Sequence, residues 1–81
     1  MRNAAYQVVG TTPGVVFLMD LDDGGRSVTN AAAEVVAEVL GAHPGCRIVY
    51  RDSMGGWDEL RHEDGAFSGF APWRGPVPVP E

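Results

Sequence analysis

Two histidines and one cysteine are the side chains of this 81-residue chain that could form a zinc or thiol–imidazole site. His43 and Cys46 are separated by two residues, which is half of a zinc-binding pair, and His62 lies in a later segment. Cys46 alternates with Ile48 and Tyr50, so we expect it to be a small buried side chain rather than a ligand or a nucleophile. The sequence therefore predicts no metal site and no cofactor.

A second candidate site is the carboxylate pair Asp20 and Asp22, which follows an apolar run. An apolar strand followed by Asp-x-Asp resembles the first motif of haloacid-dehalogenase-type phosphatases, in which the first Asp is the nucleophile and the second an acid/base. That family continues with Gly-Thr or a similar pair and needs a later lysine, whereas Asp23 and Gly24 follow here and the chain has no lysine. The segment also resembles a calcium loop, but Ala31 stands where the bidentate carboxylate would be. We therefore predict a protein that is not an enzyme.

The net charge of the chain limits the kinds of macromolecule that we expect it to bind. The chain has 11 acidic and 6 basic side chains, a net charge of -5, and every basic side chain is an arginine. Binding to nucleic acid draws on clustered positive charge, so we expect no direct contact with DNA or RNA. An acidic chain is suited to a partner with a basic surface. The alternative is that the negative charge serves only to keep a small protein soluble.

Length and hydropathy patterning predict one cytoplasmic domain. A chain of 81 residues can build one modest core. No apolar run reaches the roughly 18 residues of a membrane-spanning helix, no signal peptide is visible, and one cysteine cannot form an internal disulfide. We expect the domain to cover residues 1–71. A Pro-rich tail follows over residues 72–81, extended and either mobile or strapped along the body by Trp73.

One helix and five strands must position the candidate groups. The helix is predicted from an apolar stripe with helical spacing, formed by Ala32, Val35, Val36, Val39 and Leu40. We expect Thr29 or Asn30 to cap its N-terminus and Gly41 to end it. Strands are predicted at residues 5–9, 15–21, 46–51, 57–62 and 66–71, and Asp64-Gly65 predicts a hairpin turn. The simplest fold is α+β: a single α-helix packed on a mostly antiparallel five-stranded sheet in the order β-β-α-β-β-β.

The carboxylates that could reach a partner form two groups, and the sequence leaves the choice between them open. One group lies on the turn after the second strand and on the outer face of the helix: Asp22, Asp23, Glu34 and Glu38. The other lies on the loops and hairpin of the last strands: Asp52, Asp58, Glu59, Glu63 and Asp64. A solvated face is the alternative for each group. The late aromatic residues are expected mainly in the core, with Trp73 as the candidate for an exposed contact.

The later and larger part of the chain resembles small phage and prophage proteins of GC-rich bacteria. The resemblance rests on the run at residues 50–60 and on the residues that follow it: His62, Gly65, Phe67, Gly69 and Phe70. In size, charge and layout the chain is similar to anti-CRISPR proteins, above all those that inhibit type I surveillance complexes. This implies a protein of the bacterial host cytoplasm that docks on the Arg and Lys surface of such a complex and blocks its binding of target DNA.

Other protein-binding roles stay open beside the inhibitor. A phage structural or regulatory protein, or an antitoxin-like neutraliser, would have the same acidic composition and could be a homodimer. The sequence leaves the oligomeric state open, with a monomer as the simpler expectation. It also leaves open which subunit of a CRISPR-Cas complex would be bound and which step would be blocked.

Overall fold

The computed structural model describes residues 5–21, 27–52 and 54–78, and these ranges contain one helix and five strands. The elements are β1 (Tyr6–Thr12), β2 (Val15–Asp20), α1 (Ala32–Ala42), β3 (Arg47–Arg51), β4 (Trp57–Glu63) and β5 (Ala66–Pro72). The predicted α+β class, with one helix on a mostly antiparallel five-stranded sheet, is confirmed. No helix in the described ranges is long and apolar enough to cross a membrane.

The strands follow one another across the sheet in the order β1-β2-β3-β4-β5. β2 and β3 run parallel, because the chain crosses over through α1 between them, and the other neighbouring strands are antiparallel. In the turn between β4 and β5, Asp64 has a φ of 52° and Gly65 a φ of 81°. Two successive positive values are what a type I′ hairpin needs. The predicted Asp-Gly hairpin is therefore confirmed.

α1 covers one face of the sheet, termed here the helix face. Four residues of the predicted stripe are buried and the fifth, Leu40, packs partly against them. The sheet contributes the buried side chains of Val16, Leu18, Ile48, Tyr50 and Leu60 to the same cluster. Burying an aliphatic side chain stabilises a fold by about 1.5–3 kcal/mol, so this layer is a major source of stability.

The N-terminus of α1 differs from the prediction. Its N-cap is Ala31, which offers no side-chain cap, so the expectation of Thr29 or Asn30 at that position is wrong. A preceding turn brings the chain into the helix instead. The Ser27 carbonyl accepts the Ala31 amide at 2.9 Å, and Ser27 Oγ accepts the Asn30 amide at 3.1 Å.

The C-terminus of α1 also lies further along the chain than predicted. Gly41 stays inside the helix, which continues to Ala42 with His43 as C-cap. The His43 amide donates to the carbonyl of Val39 at 2.7 Å. The positive φ that reverses the chain belongs to Gly45, at 77°, so Gly41 does not end the helix.

The opposite face of the sheet carries no helix in the described ranges and is crossed by the chain that follows β5. Residues 73–78 are termed the strap, and the face they cross is the strap face. The strap starts beside β4, where the Trp73 amide donates to the Trp57 carbonyl at 3.1 Å. It reaches β1, where a Cβ at Gly10 would lie 3.2 Å from the ring of Pro78. Six extended residues reach about 19 Å, which matches the width of four strand spacings.

Candidate functional site

Three carboxylates lie around Tyr50 at one end of the helix face. Asp20 ends β2, Asp52 follows β3, and Asp58 is opposite Tyr50 in the pairing of β3 with β4. Burial raises the pKa of Tyr50 above its ordinary value, and the negative charges of the three carboxylates raise it further. Asp20, Asp52 and Asp58 are termed the acidic corner.

The carboxylates of the acidic corner differ in whether they accept hydrogen bonds from backbone amides of the fold. Asp20 Oδ1 accepts the amide of Val28 at 3.2 Å and so holds the chain before α1. Asp52 Oδ1 accepts two backbone amides of the loop before β4, each at 2.9 Å. Asp58 is half-buried and makes no hydrogen bond or ion pair within the described ranges. Asp58 is therefore the carboxylate of this corner that is best placed to meet a partner.

An exposed aromatic ring stands beside the acidic corner. Phe70 of β5 is 46% exposed, and its ring centroid lies 6.0 Å from Tyr50 and 5.0 Å from Phe67. The β4–β5 register places Phe70 on the same face as Asp58. Trp73, the candidate for an exposed contact, is half-buried and packs against Phe17, so it straps the chain after β5 to the body, which is one of the two predicted alternatives. An aromatic residue beside a carboxylate suits a protein–protein contact, because aromatic residues are enriched there.

The predicted contact residues of the helix have exposed side chains. Glu34 and Glu38 point away from the core, as their spacing implied. Glu38 accepts the hydroxyl of Tyr6 at 3.1 Å. Burial, followed by that hydrogen bond, raises the pKa of Tyr6. The other two residues of this predicted group, Asp22 and Asp23, lie outside the described residues.

The predicted contact residues of β4 and its hairpin separate into exposed and buried members. Glu63 and Asp64 are exposed. Glu59 is only 7% exposed and forms a two-pronged ion pair on the strap face, with both Arg47 nitrogen–oxygen distances at 2.8 Å. The hydrogen bonds from Arg47 lower the pKa of Glu59 in spite of its burial. Glu59 therefore belongs to the fold, and its expected display to a partner is corrected.

Three aromatic rings form a covered cluster on the strap face. The ring of Phe17 meets those of Trp57 and Trp73 edge-on, with centroids 5.9 and 6.4 Å away. The guanidinium carbon of Arg47 lies 4.8 Å from the centroid of Trp73, which is within reach of a cation–π interaction. Phe17 is consequently 2% exposed although no helix covers this face in the described ranges.

The strap holds its shape through contacts of its own. Trp73 Nε1 donates to the Pro76 carbonyl at 3.0 Å, and a Cβ at Gly75 would come within 2.6 Å of the indole ring. Between strap and sheet is a small apolar cavity of about 190 Å³, lined by Gly10, Thr11, Thr12, Phe17, Pro76, Val77 and Pro78. Drug-sized ligands bind in pockets of about 300–1,000 Å³, so this gap is too small for such a ligand.

The described arginines were not among the predicted site residues, yet they share one face. Arg47 and Arg51 of β3 and Arg61 of β4 alternate onto the strap face, and Arg74 lies in the strap itself; all are exposed. The pattern was visible in the sequence, because Arg47 and Arg51 alternate with core residues of β3. What the sequence did not show was that neighbouring strands add to the same face.

His43, Cys46 and His62 lie near one another, but the contacts between them run through backbone atoms. The described ranges contain no group of three or more His, Cys, Asp or Glu side chains that could hold a metal ion. His43 is the C-cap of α1, and His62 Nε2 lies 3.2 Å from the carbonyl oxygen of Cys46 rather than from its thiol. Cys46 packs partly against the core, in keeping with its alternation with Ile48 and Tyr50.

The chain matches no protein-family model, no curated protein and no solved structure at a significant level. Function therefore has to be inferred from the chain's own residues. The side of the sheet that α1 covers offers the exposed Glu34 and Glu38 of α1, the half-buried Asp58 and one exposed aromatic ring, Phe70. The strap face offers exposed arginines around a covered aromatic cluster.

Proposed function

We propose that this protein is a non-enzymatic inhibitor that binds a basic surface of a nucleic-acid-binding complex through the carboxylates of its helix face. The first partner to test is a type I CRISPR-Cas surveillance complex, because the chain resembles inhibitors of such complexes. In this mechanism the carboxylates form ion pairs with arginine and lysine side chains of the partner that would otherwise bind DNA phosphates.

The separation of charge between the two faces is the observation that supports the proposal. Asp58, Glu34 and Glu38 lie on the helix face or the outer side of α1, and none of the described arginines shares that face. Within the described ranges, a cationic partner that approaches from this side therefore meets carboxylates and no arginine. The described arginines of β3 and β4 alternate onto the other face of the same sheet.

Phe70 would add a non-electrostatic contact to this surface. It is the large aromatic side chain left exposed beside Asp58. Exposed carboxylates mainly speed association and align the partner, whereas a buried aromatic ring slows dissociation. The proposal therefore expects a mixed contact, with Asp58 and Phe70 close to its centre.

A purified type I surveillance complex and its target DNA duplex provide the test. We expect the protein to abolish DNA binding in a gel-shift assay, with the inhibition weakening as salt is raised. Asp58→Asn and Phe70→Ala should each weaken inhibition. Arg51→Gln, on the strap face, is the matched control and should leave it unchanged. Full inhibition by the doubly substituted Asp58→Asn, Phe70→Ala variant would contradict the proposed surface, and no effect of the native chain would contradict the partner.

Two further variants distinguish the carboxylate groups that the sequence left open. Glu34→Gln removes charge from the outer side of α1, and Glu63→Gln together with Asp64→Asn removes it from the hairpin. All three side chains are exposed, so we expect small changes in stability, which an unfolding curve of each variant measures. If neutralising one of these groups weakens inhibition, as Asp58→Asn is expected to do, that group belongs to the contact.

A second candidate function, a homodimeric structural or regulatory module, is favoured by the position of β1 at the edge of the sheet. This edge strand contains no charged residue and no proline, and Val8 and Val9 are 42% and 40% exposed. Natural sheets usually protect an edge with charge, proline or a bulge, and β1 has only an irregularity between Val8 and Gly10. Light scattering would reveal a dimer, and Val8→Lys should dissociate it. A monomer at all concentrations would remove this candidate.

A further inference from the structure

The strap face carries exposed guanidinium groups that the fold does not use. Arg51, Arg61 and Arg74 are exposed and form no hydrogen bond or ion pair within the described ranges. Arg51 lies beside the loop before β4, where a Cβ at Gly55 would be 3.5 Å from its Nη2 atom. Arg61 is close enough to Glu59 to contribute to lowering the pKa of that carboxyl. These three arginines are termed the arginine rim.

The same face already contains one bound carboxylate, which shows the chemistry that fits there. Arg47 grips Glu59 through two nitrogen–oxygen contacts of 2.8 Å while its guanidinium lies over Trp73. Paired, planar contacts of this kind are the strongest way in which a protein recognises a carboxylate. Arg47 therefore has a carboxylate partner, whereas the rim arginines around it have none within the described ranges.

We infer that the arginine rim docks a carboxylate-rich segment of a partner protein, so that the chain can bridge a basic partner on its helix face and an acidic partner on its strap face. The contact at the arginine rim goes beyond the proposed inhibitor function and does not depend on it, whereas the bridging of two partners rests on that function. Local charge supports it: Glu59 is neutralised by Arg47, and Glu63 is the remaining carboxylate of β4 on this face, at the hairpin end. The net charge of -5 belongs to the chain as a whole.

A carboxylate partner fits this face better than single-stranded nucleic acid. Non-specific binding of single strands combines a continuous basic groove with aromatic faces on which bases can stack. Here the rings of Trp57 and Trp73 are occupied edge-on by Phe17, and Trp73 also receives Arg47. The strap lies across the middle of the face, so the rim arginines lie at its margin and not along one continuous groove.

Intrinsic tryptophan fluorescence tests the inference directly, because Trp57 and Trp73 are the chain's two tryptophans and both lie on the strap face. The full-length protein is titrated with an oligoglutamate peptide at low salt. We expect a saturable change in fluorescence that is lost at high salt. The triple variant Arg51→Gln, Arg61→Gln, Arg74→Gln should bind about tenfold more weakly. Asp58→Asn is the matched control and should bind as the native chain does.

Three other results would each overturn the inference. Stronger binding of oligothymidine than of oligoglutamate would assign the rim to nucleic acid. Equal binding by the native chain and the triple variant would remove the rim from the contact. A triple variant that changed the oligomeric state in light scattering would assign the rim to a second copy of the chain. Undiminished inhibition of DNA binding by the Asp58→Asn, Phe70→Ala variant, with the peptide titration as expected, would contradict the proposed inhibitor surface and leave the arginine rim in place.

Discussion

The two faces of the sheet are covered by structures of very different kinds, although the same strands supply both. On the helix face an 11-residue helix brings four buried side chains and satisfies its own backbone. On the strap face six residues do the covering, and one of them, Trp73, makes the ring contact and the first backbone hydrogen bond. Phe17 and Leu18, which are adjacent in β2, point to opposite faces and are 2% and 0% exposed. Equal burial can therefore rest on a helix or on a short strap that packs its ring beside another ring of the sheet.

Alanine substitution of Phe17 and of Leu18 measures how much the burial on each face contributes to the free energy of unfolding. We expect Phe17→Ala to lower the free energy of unfolding by about 3–5 kcal/mol and Leu18→Ala by about 2–5 kcal/mol. Urea unfolding followed by circular dichroism gives both values. Met54→Ala is the control, since Met54 is 91% exposed and should change stability by less than about 0.5 kcal/mol. A loss below about 1 kcal/mol for Phe17→Ala would mean that the strap does not keep this ring dry.

Two glycine substitutions separate the strap from the helix. Gly75→Ala should destabilise by about 1–3 kcal/mol, because overpacking forces neighbours apart and the new Cβ would lie 2.6 Å from the Trp73 ring. Gly41→Ala should stabilise by about 0.5–1 kcal/mol, since alanine favours a helix interior and open space surrounds this position. Tryptophan fluorescence should shift for Gly75→Ala and stay constant for Gly41→Ala. The reverse pattern would contradict the contact between Trp73 and Gly75.

The ion pair beneath Trp73 should make the strap face sensitive to acid. The pKa of Glu59 in the folded protein lies below its ordinary value of 4.5. Its contribution is therefore present above pH 4.5 and is lost as the pH falls through the lower, folded value. Because the Arg47 side chain is 57% exposed, solvent weakens the pair, and we expect Glu59→Gln to lower stability at neutral pH by only about 1 kcal/mol.

Unfolding curves recorded from neutral to acid pH check the Glu59 prediction. The difference between the native chain and Glu59→Gln should shrink as the pH falls, whereas Glu63→Gln, at an exposed site, should follow the native chain. A difference that stayed constant with pH would show that the substitution acts through packing and not through charge.

The smallest expected effect lies on the helix face and concerns Tyr50. Burial and the acidic corner keep its pKa above 10.0, so its contribution to stability is full below pH 10.0 and declines as the pH rises toward the folded value. Asp58→Asn should lower the pKa of Tyr50, which tyrosinate absorbance measures in a Tyr6→Phe background. Asp64→Asn, at the exposed hairpin, is the control and should leave the titration unchanged. Identical curves for all variants would place Asp58 too far away to act.

Alternation and helical spacing predicted the sheet, the helical stripe and the Asp-Gly hairpin, because each depends on local backbone geometry. They did not predict the ends of α1. Gly41 could have ended the helix, but the α1 backbone continues through it to Ala42. The sequence offered no way to choose between Gly41 and Gly45, since either can adopt a positive φ.

The two faces could be predicted only in part. Alternation along β4 predicted that Glu59 points to the face of the sheet opposite that of Leu60. This suggested an exposed carboxylate. The strap has no periodicity that announces where it packs, so the burial of Glu59 and the half-buried state of Trp73 depend on a tertiary contact. Phe70 was not among the predicted contact residues, because it alternates in the way that a core residue would. The sequence did not show that its strand lies at the edge of the sheet.

The parallel pairing of β2 with β3 has a consequence for how the molecule folds and opens. Elsewhere in the sheet neighbouring strands are joined by short connections, so β1–β2 and β3–β4–β5 are two units that can form early from local contacts. Joining them requires α1 to settle first across a long connection, which makes this seam the slow step of assembly. Since the strap runs from β5 to Gly10 of β1, it closes the seam from the other side. Amide hydrogen exchange should accordingly resolve two cooperative units that separate between β2 and β3.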